Sequence, residues 1–245
     1  MAAKSKATEV VEIRPVEIVK TKIRIVGDSP LIMHAWSAKA KREILEKEIK
    51  ATKTKSRDAK NPIEDFAASM YWLTPMPTEF AADSIGEYLE GARFGFPVTA
   101  FKQAAISAAY RMGWARDKMS LRGSFFIEPD QDGYYSGDLQ IDFEKNKIDI
   151  IPNVFKPEGM IEIHSDTPIM REDMVKVGMG SADIRYRGEF KNWYADMTIS
   201  YNANGQHSLA QIINIINAGG FTCGVGEWRP ERDGSYGMFH VEASE

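Results

Sequence analysis

From Thr99 to Met112 the apolar residues fall on one narrow stripe, Phe101, Ala104, Ala105, Ala108 and Ala109, at the spacing of a helix face. Four of the five are alanines, so a helix built on this stripe can lie close against a sheet, and Pro97 stands just before it. A sheet to receive it is announced upstream. Val16 to Val26 (VEIVKTKIRIV) alternates apolar and polar residues at period two, as a half-buried strand does, with Ile18, Thr21, Ile23 and Ile25 marking the buried face. Gly27-Asp28-Ser29-Pro30 breaks this strand. Ser37 then caps a predicted helix running to about Thr52, and a second helix is predicted over Ile63–Leu73, stopped by Thr74-Pro75-Met76-Pro77.

Strand patterns follow at Leu121–Glu128, Leu139–Phe143, Lys147–Ile151 and Gly159–Ile163, with turns at Asp130-Gln131-Asp132-Gly133 and Lys145-Asn146. Residues 164–188 have no sustained period and carry several methionines, which predicts a projecting loop or hairpin. A long strand is expected over Glu189–Tyr201. Ser208–Ala218 reads as a helix with Leu209, Ile212, Ile213 and Ile216 inward, ended by Gly219-Gly220, and Tyr236–Val241 as a last strand. This order predicts an α+β fold with a ferredoxin-like (RRM-like) core: an antiparallel sheet, helices on one face, and large loop or hairpin insertions. Residues 1–16 are expected to be a flexible segment. Residues 17–245 would form one domain, with insertions at about 53–95 and at 164–188.

The chain of 245 residues is 43% apolar and 27% charged, which excludes the composition of a disordered protein. Its start, Met-Ala-Ala-Lys-Ser-Lys, lacks the apolar stretch of a signal peptide, and no apolar run reaches a membrane span, so a cytoplasmic protein is expected. The single cysteine, Cys223, allows no internal disulfide. P-loop, nucleophile-elbow, His-Glu-x-x-His and Cys-x-x-Cys signatures are absent, and Gly224-Val225-Gly226 has Arg229 where a dinucleotide fingerprint needs its third glycine. No cofactor or metal is expected.

A net charge of −4 argues against a dedicated duplex-DNA binder, but its distribution is uneven. Between Lys39 and Lys60 nine basic residues face four acidic ones, so this stretch carries +5 and the remainder −9. Lys39, Arg42, Lys53, Lys55 and Arg57 are candidate nucleic-acid contacts there. Glu43→Lys47 and Glu46→Lys50 equally suit a solvated helix followed by a lysine-rich loop. His34, beside Trp36 and near this basic helix, is a candidate general base toward an RNA 2′-hydroxyl, although no matched acid is visible. The most informative segment runs from Cys223 to Phe239. Its glycines permit positive φ and close approach to a ligand, Arg229 and Arg232 offer phosphate contacts, and Trp228 or Tyr236 a stacking face. That combination suits a single-stranded polynucleotide, and it also suits a long hairpin loop before an edge strand.

Three segments, in order, resemble the RAMP superfamily, which supplies backbone and processing subunits of CRISPR effector complexes. They are the first strand ending in Gly27-Asp28-Ser29-Pro30-Leu31, the proline-started helix Phe96-Pro97-Val98-Thr99-Ala100-Phe101-Lys102 with Ala104-Ala105 and Ala108-Ala109, and the loop Gly224-Val225-Gly226 through Gly234-Ser235-Tyr236-Gly237. Val98-Thr99-Ala100 stands where the family often has Gly-Ser-Ser. Within the superfamily the chain is most similar to the crRNA-binding backbone subunit, or to a phage-borne relative of it. The resemblance implies a non-catalytic protein that binds single-stranded nucleic acid, RNA before DNA, and assembles head-to-tail as a homo-oligomer, with other effector-complex subunits as further partners and no membrane. It implies that Lys102 contacts the strand and that residues 164–188 act as a thumb, with Met174, flanked by Met170 and Met179, wedged between bases and Lys176, Arg185 and Arg187 beside it. Two alternatives stay open: a metal-independent RAMP endoribonuclease using His34, and a structural or assembly protein without nucleic acid.

Overall fold

The alternation at Val16–Val26 becomes β1 (Ile18–Gly27), in which Thr21, Ile23 and Ile25 turn inward while Lys20, Lys22 and Arg24 stay exposed. Ile18 has the opposite parity from these inward residues and lies exposed, against the expected face. The chain is seen in a computed structural model that describes residues 15–48, 61–80, 85–135, 138–142, 144–145, 147–151, 154–177 and 181–243. After the Gly-Asp-Ser-Pro break, β2 (Leu31–Met33) is fully buried. The Ser37 hydroxyl accepts from the Ala40 N–H at 3.2 Å and so starts α1 (Ala38–Glu48); the expected continuation to Thr52 falls outside the described residues.

Asn61 caps α2 (Pro62–Ala68), accepting from the N–H groups of Ile63 and Glu64. This helix stops short of the predicted Leu73 because the chain turns at Ser69 to bury Met70 and Trp72 and to bridge Trp72 to Phe94. There follow α3 (Ile85–Leu89), β3 (Phe94–Pro97), the alanine-striped α4 (Val98–Arg111), α5 (Lys118–Arg122) and β4 (Phe125–Glu128). The strand predicted from Leu121 therefore begins only at Phe125, since Asp117 caps α5 and draws Leu121 into it. β5 (Gln131–Tyr135) stands where a turn was expected, and β6 (Asp138–Asp142) and β7 (Lys147–Ile151) form the anticipated hairpin. Next come β8 (Val154–Ile163), β9 (Ile169–Val177), β10 (Ser181–Phe190), β11 (Tyr194–Asn202), α6 (Leu209–Thr222), a 3-10 turn at Pro230–Arg232 and β12 (Phe239–Val241).

Four strands form an antiparallel sheet in the order β12-β1-β11-β4, with Ile25 opposite Ala195 and Ile23 opposite Met197. Its inward residues, among them Ile25, Met197, Ile199, Phe125, Ile127 and Phe239, join α4 and α6 in the core. In chain order these elements run strand, helix, strand, strand, helix, strand. The architecture is mixed α+β with antiparallel sheets. Residues 61–80 and 94–95, which the sequence places in an insertion, contribute Phe66, Met70, Trp72 and Phe94 to the same core, where Phe96 joins them. None of the described helices is long and apolar enough to cross a membrane.

Two further expectations are corrected. The single strand expected over Glu189–Tyr201 is two strands. The chain reverses at Lys191–Trp193, where Asn192 takes φ 49°, so that β10 pairs with β2 and β9 while β11 enters the main sheet. Gly219-Gly220 does not end α6, which runs through to Thr222. A Cβ on Gly219 would lie 2.7 Å from the Ala105 backbone and one on Gly220 would overlap the Phe239 carbonyl oxygen, so this pair lets α6 sit against α4 and β12.

Candidate functional site

The stretch 164–188 contains β9 and most of β10, paired from Ile169 opposite Glu189 to Val177 opposite Ser181. Among the described residues only Gly188–Phe190 also pair with β2 and the rest of β10 has β9 as its sole sheet neighbour, so the two strands leave the sheet as a ribbon. Period two gives the ribbon two unlike faces. On one, Gly188 packs on Met70 and Tyr186 reaches the core, and the same face then emerges into solvent at Ile184 and its cross-strand partner Met174. Met174 is 76% exposed and fills no local core. Met179 lies outside the described residues.

The other face carries Arg171, Asp173, Arg187 and Glu189, and the glycine-rich loop folds over it. Asp173 accepts from Arg171 Nε at 2.7 Å, from Arg187 Nη1 at 3.0 Å and from Trp228 Nε1 at 3.2 Å. Arg171 also donates to Glu189 and to the Tyr236 hydroxyl, both at 3.0 Å. Arg187 and Asp173 are 5% and 7% exposed, making this a buried ion pair. Burial acts to raise the Asp173 pKa, but the hydrogen bonds from Arg171, Arg187 and Trp228 outweigh it and hold the carboxyl below its ordinary value. The Arg187 Nε is buried without a hydrogen-bond partner.

At the edge of this network His34 Nδ1 lies 3.2 Å from Glu227 Oε1 and 3.4 Å from Arg187 Nη2. In the tautomer that carries its proton on Nδ1, His34 donates to Glu227 and Nε2 is the acceptor. The hydrogen bond from His34 holds Glu227 below its ordinary pKa against the effect of burial, with Arg187 and Arg229 adding to it. Glu227 is the acid that the sequence did not reveal beside His34. The other three histidines have structural company: His164 stacks on Tyr194, His207 meets Ser124 and His240 meets Asp28.

The loop is stitched to the fold by its backbone. Val225 N–H donates to Gly237, Gly237 N–H to Pro30 and Glu227 N–H to Ile32. Trp228 takes φ 53°, and a Cβ at Gly234 would overlap the Trp228 carbonyl oxygen, so this turn requires a glycine opposite a strained tryptophan.

The expected contacts are thus distributed rather than gathered. His34, Arg187, Trp228 and Arg229 meet at the ribbon base. Arg187 is buried there, Trp228 is tied to Asp173, and Arg229 is neutralised by Glu231 while it donates to the Gly226 carbonyl. Arg232 is exposed and has no carboxylate partner among the described residues. Met174, Lys176 and Arg185 lie farther along the ribbon, with Arg185 paired to Asp183. Lys39 and Arg42 are on α1, where Arg42 pairs with Glu46, and Lys53, Lys55 and Arg57 lie outside the described residues. Lys102 sits at the β4 edge, its Nζ 3.9 Å above the Phe126 ring and bonded to the Arg122 carbonyl, with burial lowering its pKa.

The two loop arginines therefore separate experimentally. If the loop contacts a strand, Arg232→Ala should lower the steepness of the salt dependence of that binding by about one ion, across all sequences. Arg229→Ala should lower that slope less, because Arg229 is held by Glu231 and the Gly226 carbonyl; titrations at several salt concentrations read the difference.

Asp173, Arg171, Glu189 and Glu227 were missed by sequence reasoning. For Glu189 the signal was the period-two run of charged residues Arg185-x-Arg187-x-Glu189, and for Arg171 and Asp173 the matching Arg171-x-Asp173 on the partner strand, each marking one charged face; no local pattern marks Glu227. No protein-family model matches this chain, and no curated protein matches it.

Proposed function

We propose that this chain is a RAMP-like protein with a ferredoxin-like core that binds single-stranded nucleic acid, RNA before DNA, without cutting it, and assembles head-to-tail along the strand. The observation that carries the reading is the ribbon: two strands leave the sheet with the unbranched Met174 exposed beside Ile184, while the ribbon base holds Arg171, Asp173 and Arg187 in ion pairs and is tied to the glycine-rich loop by hydrogen bonds from Trp228 to Asp173 and from Arg171 to Tyr236. An exposed apolar wedge on a stiff arm suits insertion between bases. The strand-helix-strand-strand-helix-strand order with the sheet order β12-β1-β11-β4 supports the ferredoxin-like core. Heterologous contacts that do not close would let copies follow a linear polymer.

Met174→Ala should change folding stability by no more than about 0.5 kcal/mol, as for a surface substitution, and weaken strand binding several-fold. A loss of stability on the order of 2–5 kcal/mol would mean a buried packing role instead. Electron microscopy of the protein with and without single-stranded RNA tests the assembly: filaments or arcs that require RNA support it, and unchanged single particles oppose it.

The His34–Glu227 pair favours one second reading, a metal-independent endoribonuclease with His34 Nε2 as general base. Incubating labelled RNA with the protein separates the two. The first reading predicts a shifted, intact strand. The second predicts shortened products that disappear in His34→Ala.

A further inference from the structure

A cleft of about 450 Å³ runs along the outer side of α4 between α5 and the glycine-rich loop, separate from the ribbon network except at His34 and Glu227. Its size is that of a small-ligand site. The two ends differ in chemistry. At one end the half-buried Tyr71, whose ring meets the buried Phe96 edge to face with centroids 5.4 Å apart, lines the cleft together with His34 and Glu227. At the other stand Lys118 and Arg122, whose polar contacts are weak: Lys118 Nζ reaches the Ser107 hydroxyl at 3.4 Å, and Arg122 Nη1 the Met119 sulfur at 3.4 Å. Among the described residues neither cation has a carboxylate partner, although across the cleft Arg229 and Arg111 are both paired to Glu231. Gln103 projects from α4 into the same cleft and has no hydrogen-bond partner among the described residues.

Two uncompensated cations attract an anion of matching charge, and an aromatic end some distance along the same cleft suits a flat ring. A carboxamide between them offers both a donor and an acceptor, and the Glu227 carboxylate accepts N–H groups. We propose that this cleft binds one nucleotide unit, its phosphate on Lys118 and Arg122 and an amino-bearing base against Tyr71. A bound strand and a free nucleotide both present this unit; the proposal rests on the strand-binding reading for the first source, and the contacts are shared by both.

The test uses the full chain and titrates it with adenosine 5′-monophosphate, guanosine 5′-monophosphate, adenosine and inorganic phosphate, then with a single-stranded oligonucleotide in competition with a labelled mononucleotide. Wild type should bind a mononucleotide more tightly than adenosine or phosphate alone. Lys118→Gln with Arg122→Gln, both exposed positions, should preserve the thermal unfolding profile and weaken the mononucleotide about tenfold for each lost charge-assisted contact, while leaving adenosine unchanged. Displacement of the mononucleotide by the oligonucleotide assigns the cleft to a strand. Its absence, with mononucleotide bound, assigns the cleft to free nucleotide and leaves the proposal standing. Mononucleotide binding unaffected by the double substitution would overturn the proposal. So would oligonucleotide binding at full strength in the double variant together with no mononucleotide binding in wild type, a result that would leave the strand-binding reading intact.

Discussion

Asp173→Ala should destabilise the protein by about 3 kcal/mol, the cost of removing the closer carboxylate from a buried ion pair. Arg187 is the charge in question. Its side chain is 5% exposed and its Nη1 donates to Asp173 at 3.0 Å, while its other carboxylate neighbour, Glu227, stands farther off at 3.8 Å. Arg171 and Trp228 lose an acceptor in the same step. The two strands of the ribbon and the glycine-rich loop would come apart together, and urea unfolding should show the loss as a lower midpoint. Asp173→Leu combined with Arg187→Met removes both charges at similar volume and should recover much of the loss, since a buried ion pair contributes little net stability over well-packed apolar groups. A double variant no better than Asp173→Ala would show that the pair acts through shape rather than charge. The same network sets an acid limit. Asp173 and Glu227 are both held below their ordinary pKa in the folded protein, so their contribution is complete above the unfolded carboxylate values near ~4 and is lost as pH falls through the folded ones. Unfolding midpoints should therefore drop below pH 4 less steeply in Asp173→Asn than in wild type.

Gly220→Ala should destabilise by about 3 kcal/mol, at the top of the usual range for overpacking, even though alanine is favoured over glycine in a helix by about 1 kcal/mol. Sterics decide the sign, because the new Cβ would overlap the backbone carbonyl oxygen of Phe239 in β12, and neither partner is a flexible side chain. Gly86 supplies the control. It lies in α3 with no atom near its missing Cβ, so Gly86→Ala should follow propensity and stabilise by about 0.5–1 kcal/mol. Thermal unfolding of the two variants in parallel should move their midpoints in opposite directions. A Gly220→Ala variant as stable as wild type would mean that α6 does not approach β12 this closely.

The glycine pair also shows where sequence reading reaches its limit. The stripe on α4 and the alternation in β1 were legible because each repeats a local period. Gly219 and Gly220 read as a helix end, yet their role is set by Ala105 and Phe239, which no local pattern names. The reversal between β10 and β11 was hidden for a related reason: Asn192 adopts positive φ where no glycine or proline marks a turn. At the candidate site, the C-terminal loop and the hairpin at 164–188 were visible as segments. Their union was not, since His34 meets Glu227 across 193 positions of chain and Trp228 meets Asp173 across 55. Arg187 and Arg229 were legible as basic residues, whereas their neutralisation depends on Asp173 and Glu231 being brought beside them by the fold.

Strand binding itself is tested most directly by titrating a labelled single-stranded RNA with the protein at several salt concentrations between about 50 and 200 mM. The account predicts saturable retention of an intact strand, with the logarithm of the association constant falling linearly as the logarithm of salt concentration rises. Absence of retention at the lowest salt concentration would contradict it.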